Sequence, residues 1–222
     1  MCAARKKHGK NRQKHKQTQR WITLSGVLLV LVIVFTVAVV KWPAGNTNSQ
    51  QNNAVVDPAF TAFTNHYLDL MKNLNSAQTK TQMSALLTPN CNQTDLFKWQ
   101  KTKMTFAQDT TGWYENPLQI LSSKDGICVQ WSIVYVSACL ALGYQSRFVV
   151  AVNTATWGFI HTWAEDYYNG TWVHVDPSDA VWNNPSRYQS WGWGTFGSQV
   201  QVFAFEDGSF QNVTSTYAPQ IN

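Results

Sequence analysis

After a polar first segment the chain runs into one long uncharged stretch, passes through a second polar stretch, and then settles into shorter apolar rhythms. Residues 22–40 are 19 consecutive uncharged, mostly apolar positions. At helical rise they reach about 28 Å, close to the hydrocarbon thickness of a bilayer. Trp21 and Trp42 stand at its two ends, where indole rings prefer the headgroup level, and Arg20 and Lys41 can extend outward. The pattern predicts one transmembrane helix over 21–42. A buried core helix of this length would show a polar face, and a cleaved signal peptide would have a shorter apolar region and a small-residue cleavage site. Residues 43–57 are polar and of low complexity, as expected of a flexible linker.

Beyond the linker the spacing turns amphipathic. Phe60, Phe63, Tyr67, Met71 and Leu74 recur at helical spacing, with Leu68 and Leu70 broadening the stripe, which predicts a helix over 59–75. A second helical stretch over 77–88 stops before Pro89. A third is expected to be capped by Thr94 or Asp95 and to run through Leu96, Phe97, Trp99 and Met104. Asn116-Pro117 marks a fourth start, running to Leu121. The run Lys124-Asp125-Gly126-Ile127-Cys128-Val129-Gln130-Trp131 leads into Ser132–Leu142, with Gly143 as the stop. That helix is apolar almost all round, so it belongs in the interior. Strand-like runs follow at 145–153, 159–168, 171–176 and 199–206. Helices first and strands afterwards predict an α+β domain with an antiparallel sheet. Residues 58–222 suffice for one such domain.

Charge sharpens the division. The 222 residues carry a net +5, with a pI near 9.0. Eight of the basic residues and no acidic one fall in 1–20, and Lys41 brings 1–41 to +9. The remainder has eight basic against twelve acidic residues, a net −4. A nucleic-acid-binding domain is therefore excluded. A basic segment next to an apolar span reads as a cytoplasmic tail, which sends residues 58–222 to the other side of the cell membrane. Sequons at Asn92, Asn169 and Asn212 are compatible with that. Four cysteines are too few for a disulfide scaffold. Cys91, His66 and His174 lack ligand spacing, so no metal and no cofactor is expected.

Cys128 carries the candidate chemistry. It falls in the first turn of the buried helix, where backbone N–H groups and the helix dipole favour a thiolate. Cys139 lies about 16 Å further along the same helix, out of disulfide reach, and reads as structural. Cys91 and Cys2 have no helix-start context. Asn169-Gly170 between Tyr168 and Thr171 is a two-residue hairpin signal, so residue i should face residue 339 − i. His161, Trp163 and Glu165 then share one face with Trp172, His174 and Asp176, and His161 comes within diagonal reach of Asp176. In this geometry Asp176 orients His161, and His161 takes the Cys128 proton. His174 is the rival base and Glu165 the alternative to Asp176.

These residues also carry a resemblance. Gly126-Ile127-Cys128 with Trp131, followed by Ala141-Leu142-Gly143-Tyr144-Gln145-Ser146-Arg147-Phe148-Val149, resembles the catalytic-cysteine block of the transglutaminase-like superfamily. His161-Thr162-Trp163-Ala164-Glu165 is similar to its histidine block, and Trp172-Val173-His174-Val175-Asp176-Pro177-Ser178 to its aspartate block. Within the superfamily the likeness is to the core of peptide:N-glycanases, over about 95–217, including Gly192-Trp193-Gly194 and Glu206-Asp207-Gly208. The resemblance implies a papain-like core in which helices, the cysteine helix among them, pack on an antiparallel sheet. It implies Cys128 as nucleophile, His161 as base and Asp176 as orienting acid. It also implies Trp99 as a contributor to the oxyanion site, beside the Cys128 backbone N–H. The paired Cys-x-x-Cys zinc ligands of those glycanases have no counterpart here, since no cysteine lies in 92–127.

The expected function is a membrane-anchored thiol enzyme acting on an amide bond in a protein, peptide or glycopeptide, by hydrolysis or by transfer. The alternative is a non-catalytic module of the same fold, binding glycans or peptides through loop tryptophans: Trp157, Trp182, Trp191 and Trp193.

Overall fold

The computed structural model describes residues 57–107, 113–189 and 199–218. The basic segment 1–20, the span expected over 21–42 and the linker up to residue 56 lie outside these, as do Trp191 and the Gly192-Trp193-Gly194 stretch. Among the described residues no helix is long and apolar enough to cross a membrane.

Helix α1 (Pro58–Leu74) starts where the sequence predicts, with Asp57 accepting the Ala59 N–H at 2.9 Å and Pro58 in the first turn. It buries Phe63, Tyr67, Leu70, Met71 and Leu74. Helix α2 (Ala77–Ser84) is shorter than the expected 77–88, because the N–H groups of Leu86 and Leu87 turn back to Met83 and Ser84 in tight three-residue turns. Helix α3 (Gln93–Lys101) is capped by Asn92, not by Thr94 or Asp95. The Asn92 side-chain oxygen accepts the Asp95 N–H at 2.8 Å and the Thr94 hydroxyl at 2.7 Å. A two-residue strand β1 (Thr105–Phe106) follows, then α4 (Pro117–Ser123), capped by Asn116 as expected. Strand β2 (Asp125–Gly126) pairs in parallel with β1 and delivers the chain into α5 (Cys128–Ala141). Every residue from Cys128 to Cys139 is buried, as an all-round apolar helix requires.

The sheet contains β3 (Ser146–Asn153), β4 (Gly158–Tyr168), β5 (Thr171–Asp176), β6 (Val181–Trp182), β7 (Val200–Glu206) and β8 (Ser209–Asn212). Short helices α6 (Ser186–Gln189) and α7 (Thr214–Tyr217) flank β7 and β8 in sequence. Strand order is β6-β5-β4-β3-β7-β8, antiparallel throughout. The hairpin of β4 and β5 has the expected register: Tyr168 faces Thr171, Glu165 faces His174 and Ala164 faces Val175. Its turn works because Asn169 and Gly170 both adopt positive φ, 51° and 85°.

Both faces of the sheet are covered. Phe148, Val150, Val152, Ala164, Val173, Val175, Phe203 and Phe205 meet the helical layer, with α5 against β3 and β4. The opposite face sends Val149, Ala151, Trp163, Val202 and Ala204 against Tyr188 of α6 and Tyr217 of α7. The second face is thus a small core of its own. This α+β layering agrees with the expected papain-like arrangement.

Candidate active site

Gly126 admits α5 to its position. A Cβ there would stand 2.5 Å from the Gln130 Cβ, so only glycine lets the helix turn so close to the chain entering it. The Gln130 side chain accepts the Ile127 N–H at 3.1 Å, and the Trp131 indole donates to the Gly126 carbonyl at 3.1 Å. These contacts fix the first turn, and Cys128 is its first residue. Its thiol shares a cavity with His161, and His161 and Thr162 are the neighbours that pull its pKa down.

His161 reaches that position through an irregularity in β4. Ala151 of β3 faces His161, whereas the next residue, Val152, faces Phe159. Ile160 is the extra residue of a β-bulge. As a result Phe159, Ile160 and His161, three consecutive residues, line one cavity of about 780 Å³ together with Phe106, Ile127, Cys128, Ser178 and Asp179. A regular strand would point alternate residues away. Trp113 adds an exposed ring against Phe159, with centroids 5.9 Å apart.

Asp176 is fully buried. One carboxylate oxygen, Oδ2, lies 2.7 Å from His161 Nε2 and accepts the Tyr188 hydroxyl at 2.6 Å. The other, Oδ1, accepts the Ser178 N–H at 2.8 Å, the Ser178 hydroxyl at 2.7 Å and the Asp179 N–H at 3.1 Å. Burial opposes this charge, but the His161 bond and these donors hold the carboxyl at about 2, below its ordinary range. Burial likewise disfavours the imidazolium of His161, yet Asp176 and the Cys128 sulfur raise it to about 9. For Cys128, burial pushes the thiol up and the bonds to His161 and Thr162 more than offset it, so it lies below its ordinary value. The three shifts run in the same sense, each toward the charged form of its group. With Nε2 engaged by Asp176, Nδ1 is the imidazole nitrogen that serves the thiol.

The other candidates fall elsewhere. His174 sits behind Asp176, 2.9 Å from the Tyr188 hydroxyl, and burial lowers it to about 4. It is therefore neutral and does not line the Cys128 cavity. Glu165 is taken up by Arg147 and by the Tyr217 hydroxyl on the far side of Trp163. Trp99 lines a different cavity, with Leu86, Thr102, Lys103, Leu121 and Lys124, and is not among the described residues around Cys128. Cys139 is buried beside Asp166, at 3.7 Å. Two of the loop tryptophans pack inward: Trp157 against Phe60 and Phe63, Trp182 against Phe97. Trp191 and Trp193 lie outside the described residues. Among the described residues no group of three or more His, Cys, Asp and Glu is arranged to hold a metal ion.

Two functional neighbours escape the sequence reading. Ser178 was accessible in principle, since Asp-Pro-Ser after a strand is an Asx-turn signal. Tyr188 was not, because its four-residue helix has no periodicity and its partners are 12 to 14 residues away.

Residues 74–177, a little under half of the chain, match the family model described as the transglutaminase-like superfamily. Within that family the similarity is to peptide-N(4)-(N-acetyl-beta-glucosaminyl)asparagine amidases. The protein of that name from Oryza sativa subsp. japonica is 30% identical over 82 residues, which is 36% of this chain and 17% of the relative. The one from Gallus gallus is 32% identical over 96 residues, 42% of this chain and 14% of the relative. The matched stretch is thus under a fifth of those relatives' length. Among solved structures, Rad4–Rad23 bound to a 6-4 photoproduct UV lesion aligns with a TM-score of 0.54 at 11% identity, over 74% of this chain and 48% of that one. That likeness concerns the fold.

Proposed function

We propose that this chain is a membrane-anchored thiol enzyme that acts on amide bonds, with Cys128 as nucleophile, His161 as acid and base, and Asp176 as the group that orients His161. The observation that carries it is the buried 2.7 Å contact between His161 and Asp176, with His161 lining the same cavity as a thiol at a helix start. A buried, ionised carboxylate beside a histidine is costly to keep, which supports a working site.

The Cys128 thiolate attacks the amide carbonyl carbon, an S–C bond forms, and the carbonyl electrons move to oxygen. The Cys128 backbone N–H, at the positive end of α5, is the donor proposed for that oxygen. On collapse the C–N bond breaks and the leaving nitrogen takes the His161 Nδ1 proton, leaving an acyl-thioester. Water, or an amine, then loses a proton to His161 as it attacks, and the C–S bond breaks to restore the thiolate. Asp176 stays ionised throughout and holds the ring by Nε2. Trp99 is not assigned a part in this scheme.

The amide for which the relatives are named, between asparagine and N-acetylglucosamine, is the first substrate class to assay. The anchor over 21–42, with 58–222 outside the cell membrane, rests on the apolar run and on the +9 charge of 1–41. Trp157 and Trp182 pack against the core, which takes away two of the four tryptophans on which binding without catalysis would rest.

The test is to incubate the full chain with an activated ester and with matched glycosylated and unglycosylated asparagine peptides. A covalent acyl adduct on the Cys128 peptide, found by mass spectrometry, is expected in the native chain and not in His161→Ala. Cys128→Ala should abolish turnover while changing stability by no more than about 2 kcal/mol. Turnover that survives Cys128→Ala sinks the mechanism.

A further inference from the structure

We propose that Tyr188 is a positioning residue of this site: its hydroxyl takes a share of the Asp176 carboxylate and so sets how firmly His161 holds its proton, while His174 fixes the direction of that hydroxyl. The proposal rests on the reading of Cys128 and His161 as a working pair.

The geometry divides the Asp176 carboxylate into two halves with different tasks. Oδ1 takes three hydrogen bonds, from the Ser178 N–H, the Ser178 hydroxyl and the Asp179 N–H. Those three suffice to keep the carboxylate in place. Oδ2 is shared between His161 and Tyr188, at 2.7 and 2.6 Å. A second donor on an anionic oxygen draws off charge that the imidazolium would otherwise feel. The effect of Tyr188 is therefore on charge more than on placement.

The phenol cannot turn away. It is fully buried, stacked on Trp163 with centroids 4.5 Å apart and an interplanar angle of 26°. Its single proton points at Asp176, because burial and that carboxylate both oppose its loss. The hydroxyl oxygen must then accept from His174 Nε2, 2.9 Å away, which requires the Nε2–H tautomer of a neutral His174. Among the described residues, other titratable groups face this cluster too, including Tyr217 from α7, its ring 5.7 Å from that of His174. Cys128 approaches from α5; Asp179 pairs with Arg187 at 2.8 Å; Glu165, on β4, is engaged by Arg147 and Tyr217. The arrangement fits the proposed chemistry, in which His161 must give its proton to the leaving nitrogen. An imidazolium held by an unshared carboxylate gives it up less readily.

The test follows alkylation of Cys128 by iodoacetamide against pH on the full chain, read on the Cys128 peptide by mass spectrometry. The native profile is expected to have two inflections, one for formation of the thiolate–imidazolium pair and a higher one for loss of the His161 proton. In Tyr188→Phe the upper inflection should rise by about one pH unit, while the lower one, where the thiol loses its proton beside an imidazolium already formed, should move little. With 3-fluorotyrosine at position 188, a stronger donor of nearly the same shape, the upper inflection should fall instead. That second variant keeps the test valid if Tyr188→Phe does not fold. An upper inflection that stays put in either folded variant, or that moves the other way, overturns the proposal. A native profile with one inflection at the ordinary thiol value would instead overturn the reading of Cys128 and His161 beneath it.

Discussion

At the scale of single residues, environment decides which of several similar groups does what. His161 and His174 are both buried histidines on the same face of one hairpin, yet they are shifted in opposite directions. His161 contacts both a carboxylate and a thiol and is raised, whereas His174 meets a phenol and is lowered by burial. Asp166 and Asp176 differ in the same way. Asp176 takes five hydrogen bonds, while burial raises Asp166 to about 6 from an ordinary 3.8, with the Tyr135 hydroxyl at 2.6 Å offsetting only part. The folded state then binds the Asp166 proton more tightly than the unfolded chain does. Its contribution is present below pH 3.8 and is lost as pH rises through about 6. Ionised Asp166 is thus a liability at neutral pH, of up to about 3 kcal/mol. Asp166→Asn, which still accepts from Tyr135, should raise the melting temperature at pH 8 and lose that advantage near pH 4. A difference in melting temperature that does not grow with pH would remove this account.

At the scale of elements, the legible parts are those whose signal is local. The Asn169-Gly170 turn specifies its own backbone, and a period-2 strand on either side then places His161 within reach of Asp176. Helix α5 shows itself by being apolar all round. The short pieces β1, β2, β6, β8, α6 and α7 stay hidden, because two to four residues hold no period and their stability comes from whatever they pack on. Ile160 as a bulge is likewise invisible, since its extra residue exists only relative to β3. The entry to α5 is the element most exposed to a small change. Gly126→Ala would drive a methyl into the Gln130 Cβ, which is held by its own helix and cannot step aside. The expected loss is about 1–3 kcal/mol of stability in denaturant unfolding. Cys128 alkylation should slow by more than this loss alone would cause, because the helix start shifts with the thiol on it. Native-like alkylation in a destabilised variant would show that the two are separable.

Across the whole molecule, the helical layer and the small Trp163–Tyr188–Tyr217 core grip the sheet from both sides, and the candidate site lies where α5 meets β4 and β5. The proposed orientation has a direct consequence. An impermeant protease added to intact cells should remove residues 58–222 and spare a tag at the N-terminus; a protected domain would reverse the topology. The sequence by itself determined the α+β order, the hairpin register and the choice of Cys128, His161 and Asp176 as candidates, because each is written in a run or a turn of a few neighbouring residues. It also determined the charge division that sets the first 41 residues apart from the rest. Only the tertiary structure decided that Asn92 caps α3, that Trp99 faces another cavity, that the loop tryptophans Trp157 and Trp182 point inward, and that Tyr188 shares the Asp176 carboxylate. Each of those depends on which distant surfaces meet, and burial and hydrogen-bond satisfaction between distant segments leave no periodic trace along the chain.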